Sequence, residues 1–117
     1  MSTSHWRAVL AALLAIAALA GCATSSNAPK NLNATITVVN GQPKGGVQTL
    51  KVKKGGQIHL TIHSDTADEV HVHGYNFHKD VDKGGTVTFD FPAKIDGGFI
   101  VELENAHQTL ANLNVEP

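Results

Sequence analysis

The residues best suited to chemistry lie close together in Glu69–His78, EVHVHGYNFH, where His71 and His73 alternate with Val70 and Val72 before a turn at Gly74. Side chains along a strand alternate faces, so the valines point one way and the two imidazoles the other. One face can enter a core while the other presents nitrogen donors, and His78 adds a third imidazole just past the turn. Imidazole binds transition metals and titrates near neutral pH, so the chemistry indicated is metal coordination or proton binding. His59 and His63 share the outward face of another strand; an i, i+4 spacing there separates them by about 13 Å, and they read as solvent-facing. No Ser/His/Asp ordering, phosphate loop or isolated carboxylate pair is present, which argues for a binding protein and against an enzyme.

The elements that must position these histidines are short β-type segments separated by glycine pairs at Gly45-Gly46, Gly55-Gly56, Gly84-Gly85 and Gly97-Gly98. Alternation predicts strands over 34–39, 48–53, 57–64, 69–73, 85–91, 99–104 and 109–115. Ile58, Leu60 and Ile62 oppose His59, Thr61 and His63; Val87, Phe89 and Phe91 oppose Thr86, Thr88 and Asp90; Phe99, Val101 and Leu103 oppose Glu102 and Glu104. About seven half-buried strands and no helical period predict an all-β sandwich of two antiparallel sheets. Tyr75 and Phe77 are expected to cover one end of the core.

Residues 1–21 have a different character. Arg7 precedes an unbroken apolar run from Ala8 to Ala20, too short for a comfortable bilayer span but suited to a secretory signal. Leu19-Ala20-Gly21-Cys22 resembles the lipobox of bacterial lipoproteins, which implies cleavage before Cys22 and acylation of its sulfur. The organisation expected is a signal peptide over 1–21, a lipidated flexible tether over 22–33 and one domain over 34–117, held to the cell envelope. Cys22 is the only cysteine, so the domain has no disulfide and must be stabilised by its apolar core. Without Arg7, eight lysines face ten acidic residues, and no basic patch suggests nucleic acid. A monomer is expected.

The order of segments from Ala34 to Pro117 resembles the cupredoxins. A Gly-Gly turn precedes an alternating strand (Gly55 to Ser64), a polar turn leads to the strand ending in His73, a Thr/Val/Phe strand spans Thr86 to Phe91, and GGFIVELE precedes the last strand. The wording EVHVHGYN followed by GGFIVELE is similar to bacterial cupredoxin-like lipoproteins and to the module associated with periplasmic iron uptake. The resemblance implies a Greek-key sandwich and, by order along the chain, places His73 at the first copper ligand, Glu104 at the cysteine and His107 at the second histidine. The axial methionine has no counterpart, because Leu110 and Leu113 stand there. A thiolate-bound blue-copper centre therefore cannot form, and electron transfer of that kind is not expected. What the resemblance leaves is a nitrogen and oxygen site of His73, Glu104 and His107, with His71 and His78 as further candidates, suited to copper, zinc or iron. Two functions stay open: a metal carrier, scavenger or uptake accessory working with a transport or envelope partner, or a metal-free interaction module of the cell envelope.

Overall fold

The computed structural model describes residues 27–117, so Cys22 and the apolar run lie outside the described residues. Nine strands follow one another: β1 (Leu32–Val39), β2 (Gln42–Pro43), β3 (Gln48–Lys53), β4 (Gln57–Ser64), β5 (Asp68–Val72), β6 (Phe77–Val81), β7 (Gly85–Pro92), β8 (Gly97–Leu103) and β9 (Gln108–Glu116). One sheet has the order β2-β1-β4-β7 and the other β3-β9-β8-β5-β6. No helix occurs among the described residues. The inward residues of both sheets, including Ile36, Leu60, Ile62, Val70, Val72, Val101 and Leu103, form a single core from which water is excluded. With no disulfide, this burial is the main stabilising term, at about 1.5 to 3 kcal/mol for each large aliphatic side chain.

All seven predicted strands are present, and two more were not anticipated. β2 has only two residues, too few for a periodic signal. β6 covers a stretch that reads as a crossover because, of its inward positions Phe77, Lys79 and Val81, only Val81 is buried and one is a lysine. Lys79 nevertheless faces inward: its Nζ donates to the Thr88 carbonyl at 2.5 Å and lies 5.1 Å from the centre of the Phe89 ring. An inward-pointing lysine on an edge strand satisfies its charge and discourages edge-to-edge pairing.

The expectation of purely antiparallel sheets is corrected, since β1 runs parallel to β4 and β3 parallel to β9. The chain passes between the sheets, so spatial neighbours are often not joined by a hairpin and antiparallel direction is not imposed. The fold also begins before Ala34. Ala28 is buried, Pro29 accepts a hydrogen bond from the Lys53 amide at 2.8 Å, and Asn31 accepts one from the Gln57 amide at 2.9 Å. A Cβ on Gly56 would lie 1.6 Å from the Lys30 carbonyl oxygen, so this close approach requires glycine. Residues 28–33, expected to be tether, thus belong to the sandwich.

A buried carboxylate fixes the end of β8. Asp68 Oδ1 accepts hydrogen bonds from the amides of Glu69 and Asn105 at 2.7 and 2.9 Å, and Oδ2 accepts from Ala106 at 3.2 Å. These bonds tie the start of β5 to the 104–107 turn between β8 and β9. Hydrogen bonds to an ionised group contribute more than neutral ones, so Asp68→Ala is expected to reduce stability by about 2 to 3 kcal/mol. Asp68→Asn should lose about half of that. Urea unfolding with an unchanged slope measures the difference, and a change near zero would show that the turn holds without Asp68.

Candidate metal site

The site follows from strand phase. Val70 and Val72 are fully buried, so Glu69, His71 and His73 stand on the outer face of β5; Val101 and Leu103 are also fully buried, so Glu102 and Glu104 stand on the outer face of β8. His71 lies directly opposite Glu102 on β8 and His78 on β6. The hydrogen bonds run diagonally: His71 Nδ1 to Glu104 Oε2 at 2.9 Å and His73 Nε2 to Glu102 Oε1 at 2.5 Å. Diagonal neighbours across a strand pair are within reach of long side chains. His71 stacks on His73 with ring centres 4.0 Å apart and on His78 at 3.8 Å.

The turn after His73 is held by aromatic packing. Gly74 has φ of +79°, and a Cβ there would lie 2.2 Å from the Phe99 ring, so glycine is required on both counts. The Tyr75 hydroxyl donates to the Ile95 carbonyl at 2.9 Å and accepts from the Ile95 amide at 3.0 Å, joining this turn to the 93–96 connection. Tyr75, Phe77, Phe91 and Phe99 pack together beneath it, as expected for residues covering the core's end.

His71, His73, Glu102 and Glu104 each offer one donor atom, all within 4.8 Å of one another. Three of the candidate ligands, His71, His73 and Glu104, are therefore brought together. His78 stacks against the group but bonds elsewhere, with Nδ1 2.7 Å from Glu69 Oε1. His107 is exposed at the end of the 104–107 turn with φ of 50° and stands outside the four-donor group. Glu102, not expected as a ligand, belongs to the group; its parity with Glu104 on an alternating strand was the available signal. His59 pairs with Asp90, and His63 Nδ1 lies 2.5 Å from Thr86 Oγ1, both on the outer face of the other sheet.

Two imidazoles and two carboxylates form a nitrogen and oxygen donor set. Metal–ligand bonds near 2 Å place opposite donors about 4 Å apart, so small side-chain rotations would bring these four around one ion. The set suits Cu(II), Zn(II) or iron and suits soft Cu(I) poorly. It does not fit a blue-copper centre, because residues 27–117 contain neither cysteine nor methionine. His71 Nδ1 and His73 Nε2 each face a carboxylate at hydrogen-bond distance, so a metal bound to that same nitrogen takes the place of the proton shared there.

The His71 hydrogen bond is the main cause holding the Glu104 carboxyl below its ordinary value of 4.5; burial opposes the shift, and Glu102 and the neighbouring imidazoles add to it. A lowered folded-state value contributes stability that is present above the unfolded value and is lost as pH falls through the folded one. Wild type is thus expected to lose stability below pH 4.5, and Glu104→Gln should lose less over that interval. Melting temperature against pH measures this; identical acid limbs would show that the His71–Glu104 bond contributes nothing. Added salt should shrink the difference, since Glu104 is well exposed.

No family model and no curated protein matches the sequence. Similar solved structures share the architecture. The metal-binding domain of the Cu(I)-exporting P-type ATPase CopA of Streptococcus pneumoniae matches with a TM-score of 0.62 and 12% identity, covering 80% of this chain and 92% of that one. A copper-binding protein in its apo form matches at 0.56 and 13% identity, covering 79% and 92%. A chain of a heme-copper terminal oxidase dimer matches at 0.54 and 17% identity over 69% of this chain; the present chain spans 60% of that one. At such identities the likeness concerns the fold alone: residues 27–117 adopt a cupredoxin-like β-sandwich fold.

Proposed function

We propose that this protein is a lipid-anchored, extracytoplasmic metal-binding protein that takes up a divalent transition metal, Cu(II) foremost, as cargo through His71, His73, Glu102 and Glu104. The observation that carries the reading is the convergence of four donors within 4.8 Å on one sheet face. The copper-binding proteins that share the fold support copper as the first metal to test. A carrier, scavenger or uptake accessory needs affinity and release, and an open sheet face admits both a hydrated ion and a partner's ligands. In this role the protein binds and does not catalyse; the anchor keeps a monomer near a transport or envelope partner.

The competing reading, a metal-free interaction module, has its own support. Each imidazole of the group already meets a carboxylate, and no buried side-chain nitrogen or oxygen among the described residues lacks a partner. The face is therefore self-consistent without an ion.

A ligand that binds only the folded state stabilises by about 2.7 kcal/mol at a hundredfold excess over Kd. Cu(II) or Zn(II) should raise the melting temperature of the purified protein; His73→Ala and Glu102→Gln should abolish the rise, and His59→Ala should not. The two losses should be non-additive, because either leaves the same incomplete coordination sphere. Affinity should fall on acidification as protons compete for the ring nitrogens. The Cu(II) complex should absorb weakly, without the intense blue of thiolate ligation. No thermal shift, or equal losses from His59→Ala and His73→Ala, would leave the interaction module as the function.

The anchor has a separate test. Cys22→Ser should prevent lipid attachment while the unfolding of the domain is unchanged, because residues 27–117 supply the fold. Retention of the variant in membranes with its leader removed would eliminate the lipobox reading.

A further inference from the structure

The outer face holds a second donor set that the four-donor group does not use. His78 Nδ1 lies 2.7 Å from Glu69 Oε1, and its Nε2 lies 3.3 Å from Asn76 Oδ1. Asp80 stands opposite Glu69 in the β5–β6 register and is exposed. His78 and Glu69 are both partly open, with 39% and 35% of their side chains exposed, against 13% for His71. Lys79, between His78 and Asp80, turns to the opposite face and donates to Thr88, so its charge does not stand among these donors.

We propose that His78 and Glu69, with Asp80 beside them, form a second and weaker metal-docking position that passes ions to the four-donor site. The inference rests on the function proposed above. His78 lies over His71 with ring centres 3.8 Å apart and planes 20° apart, so donors of the two sets are cross-strand neighbours on one sheet face. An ion can thus exchange ligands stepwise from the open edge strand toward the less exposed His71. Charge permits both positions to fill: two carboxylates balance a divalent ion in the inner set, leaving little net repulsion, while Glu69 and Asp80 bring negative charge to the outer one. With fewer and more solvated donors, the outer position is the weaker.

His59 and Asp90 provide an internal control, since they form the same imidazole–carboxylate pair on the other sheet, where the next outward histidine meets a hydroxyl. The experiment is a calorimetric Cu(II) titration of the full-length protein with electron paramagnetic resonance after one and two equivalents. Two binding steps are expected, and the second should broaden the spectrum through dipolar coupling between neighbouring Cu(II) ions. His78→Ala should weaken the second step at least tenfold, remove the broadening and preserve the first. Glu69→Gln, which keeps the side-chain shape, should act in the same direction. His73→Ala should weaken the first step, and His59→Ala should change neither. A single step unaffected by His78→Ala, or a second step without dipolar broadening or dependent on His59, overturns the outer position and leaves the inner site intact. Absence of any Cu(II) binding overturns both.

Discussion

Burial of Val70 and Val72 is the constraint on which the rest depends. Both valines are fully buried between the sheets, and a strand has a strict period of two, so fixing them fixes Glu69, His71 and His73 on the opposite face. Val101 and Leu103 do the same for Glu102 and Glu104 one strand away. A one-residue slip of β5 would put two imidazoles into an apolar core without partners, which is energetically prohibitive. The apolar core is thus what sets the register, and the donors inherit their positions from it.

The face so formed combines three imidazoles and three carboxylates in one continuous arrangement, with His78–Glu69, His71–Glu104 and His73–Glu102 as its pairs. Each pair is a charge-assisted hydrogen bond at partial exposure, where solvent screening keeps its contribution small. Stability alone is a weak reason for the concentration of titratable groups, since exposed threonines would suit the strands as well. The same pairs hold the donors close together without a metal, so less ordering is needed when an ion replaces the shared protons.

Much of this was legible in the sequence, for definite reasons. The alternations in Gln57–Ser64, Gly85–Pro92 and Gly97–Leu103 are clean because each strand is buried on one face only. β6 escaped notice because its inward Lys79 spends its charge on a carbonyl and a ring across the sandwich, a long-range arrangement with no local signature. Leu110 is an extra residue in β9, where the pairing shifts between Val101 and Glu102, so Leu110 and Ala111 are both buried and a strict alternation fails there. Among ligands, order along the chain directed attention to Glu104 and His107, whereas the parity of β8 pairs Glu104 with Glu102. Where the two signals differ, the period set by burial describes the face more closely, because it reflects this chain's own packing.

The β8–β9 connection explains why the donors gather on a sheet face and not in a loop. Leu103 pairs with Gln108, leaving four residues to reverse the chain, and Asp68 holds two of their amides. His107 closes the turn in the left-handed region, with its amide donating to the Glu104 carbonyl at 3.3 Å. A turn so short cannot wrap several side chains around an ion, and the chain supplies no thiolate there to anchor one. Its effect is to carry Glu104 back beside Glu69, where the Glu104 amide donates to the Glu69 carbonyl at 2.8 Å and extends the β5–β8 pairing past Leu103. The Glu104 carboxylate is thereby delivered to His71. The geometry that removes a loop-borne centre at the end of the sandwich is the same geometry that completes the four-donor group on its side.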